Sequence, residues 1–257
     1  MDRSDLFARY DEELRTDDYA DVDASPNGLQ VGTDEGTVDH VAFAVDAAVA
    51  TIERAVAVGA DVLVTHHGLV WGSIDRVTGR EFERIAPLLR NDLSLYVSHL
   101  PLDGHQTLGN AAGVADVLGL EQTEREPFGA MGPEYIGQRG RLVEPSSIYD
   151  LTAALDDELD TGGRGVRLVD AGPEEVEDVA IVTGSGVDWL DEAVDVGADV
   201  LVTGEGKQKV FHEAQEAGIN VVLAGHYATE TFGVQALQAQ AEQWGLETTY
   251  IDEPTGL

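Results

Sequence analysis

The sequence predicts an α/β protein of two similar halves, the product of an internal duplication, each a βαβ-containing sheet with helices. Three observations predict it. Residues 38–68 and 176–206 align without a gap at an offset of 138, and the octapeptide VGADVLVT stands in both, at 58–65 and 196–203. Short β-branched runs alternate with segments of helical apolar spacing. At 257 residues the chain can build one large core or two small ones.

Each repeat reads as strand, loop, helix, glycine, strand. Residues 41–45 and 179–182 are short, apolar and β-branched. Over 47–58 and 187–196 the apolar positions fall at helical spacing: Val49, Ile52 and Val56, then Val187, Leu190 and Val194. Gly59 and Gly197 stop these helices. Residues 62–64 and 200–202 are buried-strand runs, so each copy is a βαβ unit with parallel strands. The likeness continues beyond the repeat. LYVSHLPLD (95–103) and VLAGHYATE (222–230) are strand-like and end in His-x-x-x-Asp and His-x-x-x-Glu. Helical stretches at 108–118 and 233–244 follow, each closing on Gly-Leu-Glu. The halves are therefore 1–121 and 122–257, with a joint in 122–140, which is rich in Glu, Gly and Pro. Residues 148–159 read as a short acidic helix and 162–165 as a turn. The segment 27–32, NGLQVG, lacks GxxxxGK[ST] and reads as a turn leading into a strand, not a phosphate loop.

Composition excludes several classes of function. There is no cysteine, hence no disulfide, thiolate zinc site, iron–sulfur cluster or cysteine nucleophile. No apolar run approaches the roughly 20 residues of a membrane span, and residues 1–20 are acidic and polar, unlike a signal peptide. A cytoplasmic protein without membrane partners is expected. Asp and Glu number 49 against 15 Lys and Arg, a formal net charge of −34. Such a surface repels phosphate backbones, so no nucleic-acid partner is expected. Only Lys207 and Lys209 are lysines. Acid excess spread along the whole chain matches a halophilic protein, because at about 1 M salt the screening length falls to about 3 Å. Sedimentation from molar salt down to tens of millimolar should show dissociation or unfolding at the low end. Indifference to salt over that range contradicts the halophilic reading.

Seven histidines occur, and four stand at the ends of apolar strands: His66, His67, His99 and His226. Strand C-terminal ends are where open α/β sheets place ligands. Just past its strand, the His66–His67 pair can converge on one point, with Gly68 turning the backbone away. Asp103 and Glu230 follow His99 and His226 at matching spacing. Imidazoles with carboxylates suit zinc, manganese, iron or nickel, and bridging carboxylates suit a metal pair. His40, His105 and His212 lack this setting and read as solvated. Trp71, beside Gly72 in a turn-like segment, reads as loop packing ahead of a substrate platform.

The segments SPNGLQVG (25–32), VTHHGLVWGS (64–73), SHLPLDGHQTLGN (98–110), TGEGKQKVFHEAQEAGI (203–219), AGHYATETFGVQAL (224–237) and TYIDEP (249–254) span nearly the whole chain in order. In them the chain resembles the YbgI-like, or NIF-three-like, proteins, a family also called type 2 GTP cyclohydrolase I. The resemblance implies a toroidal homohexamer with a dinuclear metal centre between the halves, facing an internal cavity. It implies two divalent ions per chain, held by His66, His67, Asp103, His226 and Glu230. His99 would stand beside the site on the substrate side. Glu205, the repeat mate of His67, would orient a ligand. Residues 206–209 read GKQK where some relatives carry an acidic or serine-containing stretch. Two functions follow as alternatives: a metal-dependent hydrolase of a nucleotide, heterocycle or phosphoester, taking a small-molecule substrate, or a non-enzymatic metal-binding ring assembly or adaptor.

Overall fold

The repeated octapeptide folds the same way twice. In the computed structural model, which describes residues Met1–Leu257, Gly59 and Gly197 follow the repeat helices in the left-handed region, at φ +72° and +78°. Only glycine adopts this without strain. Two residues on, one carboxylate oxygen of Asp61 accepts the backbone N–H groups of Asp39 and His40, at 2.8 and 3.0 Å. Asp199 accepts those of Glu177 and Asp178 at the same two distances. Each Asp thus ties the start of one strand to its neighbour. Register then repeats as well. Val41 faces Val62 and Phe43 faces Val64 in the first copy; Val179 faces Val200 and Ile181 faces Val202 in the second.

The strands are β1 (Gly28–Val31), β2 (His40–Asp46), β3 (Val62–His67), β4 (Ser94–Val97), β5 (Glu126–Met131) and β6 (Glu134–Ser147). They continue as β7 (Arg167–Val169), β8 (Glu175–Ile181), β9 (Val200–Thr203), β10 (Asn220–Leu223) and β11 (Glu247–Tyr250). One sheet has the order β1-β4-β3-β2-β11 and the other β5-β6-β8-β9-β10-β7. Within them β4, β3, β2 and β11 are parallel, as are β8, β9 and β10. The predicted two-sheet α/β class is therefore the observed one. No helix is long and apolar enough to cross a membrane.

The chain forms two compact units, Met1–Leu102 with Gly233–Glu253, and Asp103–Phe232 with Pro254–Leu257. This division differs from a boundary at 121/122: Asp103–Glu121 groups with the second unit and Gly233–Glu253 with the first. The C-terminal helix and strand return to the first unit: β11 pairs with β2, and the buried Tyr10 hydroxyl donates to the Leu237 carbonyl at 2.9 Å. The Glu-, Gly- and Pro-rich stretch 122–140 is largely a hairpin, β5 on β6, and β6 pairs with β8. Its composition suits an edge, where Pro127 removes no inner ladder bond.

Each unit has its own core. In the first, Phe43, Ile52, Leu63, Leu88 and Leu95 are fully buried. Phe7 and Tyr10 pack on Tyr96, with ring centroids 5.4 and 5.6 Å away. In the second, Leu155, Ile181, Val200, Val202 and Val222 are buried together. At about 1.5–3 kcal/mol for each large apolar side chain, these cores hold the strand ends in place.

Candidate metal centre

In the first unit β3 runs through both His66 and His67, so they are strand residues, not residues just past the strand. Adjacent strand residues ordinarily point to opposite faces. Here the chain leaves the sheet at once, and the two ring centroids lie 4.6 Å apart. Gly68 makes that exit possible, because a Cβ there would stand 2.4–2.7 Å from the Gln30 amide group. Gln30 in turn accepts the N–H groups of Leu69 and Val70 at 3.0 and 3.2 Å. His99 follows β4 and brings its ring to 5.1 Å from His66 and 5.7 Å from His67. One ring nitrogen from each of the three lies within 4.8 Å of the others.

All three rings are anchored alike. Nδ1 of His66 faces the Ser98 carbonyl, Nδ1 of His67 faces Asp46, and Nδ1 of His99 faces Asp23, each at 2.9 Å. Those partners only accept, so Nδ1 carries the proton and the lone pair stays on Nε2. Histidines that ligate metals are fixed by this second contact. The Asp23 side chain is 1% exposed. It also accepts from the N–H groups of Ser25 and Leu100 and from the Asn27 amide, at 2.8, 3.0 and 2.8 Å. Burial opposes its charge, but His99 and these donors outweigh burial and hold its carboxyl below the usual range. Asp46→Ala should weaken metal binding about 10–100-fold, because His67 loses its orienting acceptor. Competition against a chromophoric chelator measures this, and an unchanged affinity removes His67 from the ligand set.

Trp71 is half-exposed and lies edge-on to His99, at 5.0 Å between centroids, and 6.2 Å from His67. The loop residue of the sequence reading thus packs against site imidazoles.

In the second unit the polar side chains gather beyond β8, β9 and β10. Asp103, 7% exposed, accepts from Asn110 at 2.8 Å and from the Thr183 hydroxyl at 3.3 Å. Glu230 is 3% exposed, and a carboxylate oxygen of it lies within 4.8 Å of one of Asp103. His226 lies between two carboxylates, with Nε2 3.2 Å from Glu230 and Nδ1 3.3 Å from Glu205. Burial disfavours its charge, yet Glu230 and Glu205 push its pKa up to about 9. The Ser185 hydroxyl, then His226, hold Glu205 below the usual carboxylate range against burial. Gly184, at φ +58°, leaves room for the pair: a Cβ there would stand 2.3 Å from Glu230 Oε1 and 3.1 Å from His226 Nε2.

Neither His40 nor His105 is a bare solvated residue. His40 is 9% exposed and bonds Thr249 at 2.9 Å, and His105 Nδ1 accepts the Leu108 N–H at 3.0 Å. The sequence reading missed Asp23, Asn27, Gln30 and Asp46, the residues that hold the imidazoles and their loop. The SPNGLQVG segment was the available signal for two of them.

Each unit offers donors that suit a divalent first-row ion: imidazoles in the first, and in the second two buried carboxylates, one of which a side chain at Gly184 would crowd. Two sheets of βαβ origin, with imidazoles and carboxylates at the ends of their parallel strands, define a candidate metal-binding α/β protein. Residues 1–255 match the family model described as Duf34/NIF3 (NGG1p interacting factor 3). The chain belongs to the Duf34/NIF3 family. It is 58% identical over 257 residues to a Halobacterium salinarum protein named GTP cyclohydrolase 1 type 2 homolog, covering 100% of both chains. The crystal structure of TTHA1606 from Thermus thermophilus superposes with a TM-score of 0.89 at 38% identity, again over 100% of both. A structure described as protein ybgI, of unknown function, gives 0.90 at 35% identity and the same coverage.

Proposed function

We propose that the protein is a dinuclear divalent-metal hydrolase acting on a nucleotide, a heterocycle or a phosphoester. The observation that carries this reading is the common build of His66 and His67, each turned by an acceptor at Nδ1 so that Nε2 can ligate. The proposed ligands are His66, His67, Asp103, His226 and Glu230, with His99 on the substrate side and Glu205 orienting His226. Iron, zinc, manganese and nickel all suit such a set. Bound divalent ions would supply Lewis acidity and lower the pKa of water. The chain's own residues do the positioning. Asp46 and the Ser98 carbonyl fix two imidazoles, Asn110 and Thr183 fix Asp103, and the two buried carboxylates offset the cations' charge. The name of the Halobacterium relative supports hydrolysis of a purine heterocycle. The proposed assembly is a homohexamer.

The test is a screen of metal-loaded protein in high salt against nucleotides, phosphoesters and cyclic amides. Turnover of one class, abolished by Glu230→Gln, is expected. Absence of turnover in all three, with metal bound, supports the adaptor reading instead.

A further inference from the structure

The second unit holds a cavity of about 350 Å³ that shares a wall with His226. Its lining includes Arg164, Arg167, Gly204, Glu205 and Gly225. Glu205 is the shared wall, because it also faces His226 Nδ1 at 3.3 Å. Register explains why Arg167 is present. It opens β7, which runs antiparallel to β10, and pairs with Leu223 at the C-terminal end of β10. That is the end at which α/β sheets take ligands. Arg164 comes from the glycine turn 162–165, where Gly162, Gly163 and Gly165 all have positive φ.

Acids outnumber cations 49 to 15 in this chain, and several cations are engaged: Arg3 by Asp92, Arg125 by Asp116, Lys207 and Lys209 by Asp188. Arg164 and Arg167 are exposed and form no ion pair. Two acidic groups also line the cavity: Glu205, occupied by Ser185 and His226, and Leu257, whose terminal oxygen accepts the His226 N–H at 2.6 Å. Two guanidiniums lining one cavity match a dianion, and a guanidinium fork fits phosphate oxygens two at a time. The volume is that of a small-molecule site.

We propose that Arg164 and Arg167 form an anion subsite that takes the phosphate group of a small phosphomonoester. That this ligand is a substrate, its phosphate set beside the His226–Glu230 pair, rests on the hydrolase reading.

The test is calorimetric titration of the full chain, with and without metal, at the lowest salt that keeps it folded. Glycerol phosphate and inorganic phosphate are the two probes. Glycerol phosphate should bind more tightly than inorganic phosphate. The double variant Arg164→Gln/Arg167→Gln should weaken it at least tenfold, with metal content by elemental analysis unchanged. The single variants replace exposed side chains and give the same test if the double variant does not fold. Equal affinity of the variants and the parent overturns the subsite. Equal affinity of the two probes makes the occupant free phosphate and overturns the phosphomonoester. Arginine-dependent binding in a protein that takes up no metal keeps the subsite and removes the hydrolase reading.

Discussion

Glu230→Gln should strip at least one divalent ion from each chain and abolish any hydrolytic turnover, with circular dichroism and oligomer size unchanged. Glu230 is 3% exposed and stands between the helices His226–Thr229 and Thr231–Gln243. At the start of the second helix its charge is favoured by the helix dipole. Its carboxylate lies 3.2 Å from His226 Nε2, and within 4.8 Å of the Asp103 carboxylate. Two buried carboxylates this close repel each other unless cations stand with them. The amide keeps the size, loses the charge, and presents an NH2 that cannot ligate. About half the negative charge supplied by the proposed ligands disappears with it. His99→Ala removes a ring that is not among the proposed ligands, so it should leave both ions in place. Elemental analysis of the two variants decides the matter. Full metal in Glu230→Gln together with an emptied His99→Ala reverses the assignment of these two residues.

Gly184→Ala should be as damaging, through backbone geometry. The position has φ +58°, and an alanine there costs about 1–2 kcal/mol in strain alone. Its Cβ would stand 2.3 Å from Glu230 Oε1. The loop cannot retreat easily. Its carbonyl accepts the Glu205 N–H at 2.9 Å and the Thr203 hydroxyl at 3.1 Å, and its N–H donates to Thr229 at 3.3 Å. Metal affinity should fall at least tenfold, and chemical denaturation should show a loss of about 2 kcal/mol or more. Gly197→Ala is the control. Its φ is +78°, but nothing lies within 4 Å of the added Cβ. It should cost only the same strain, about 1–2 kcal/mol, and retain full metal. If both variants bind metal as the parent does, Gly184 does not shape the site.

Much of this was legible in the sequence because it is local. The octapeptide carries its own stop glycine and its own clamp, Asp61 or Asp199, so a repeat in sequence becomes a repeat in register. His-x-x-x-acid after an apolar run marks a strand end followed by one helical turn, which is what Leu100–Asp103 and His226–Thr229 are. The rest depends on partners distant in the chain, which periodicity does not encode. Nothing near Tyr10 announces the Leu237 carbonyl, and nothing near β2 announces β11, so the return of the C-terminal segment was invisible. Asp23 and Asp46 lie 76 and 21 residues from the histidines they orient. His40 lacks the strand-end setting and reads as solvated, and its partner Thr249 comes from β11, distant in the chain. The hairpin β5–β6 resembled a linker because an edge strand tolerates the Pro and Gly that linkers contain.

The most direct test of the central claim is the metal content of each chain. Protein dialysed against metal buffers in high salt should retain about two divalent ions per chain by elemental analysis, and His66→Ala should lose metal. A stoichiometry near zero, or a His66→Ala variant that retains metal as the parent does, would contradict the dinuclear centre.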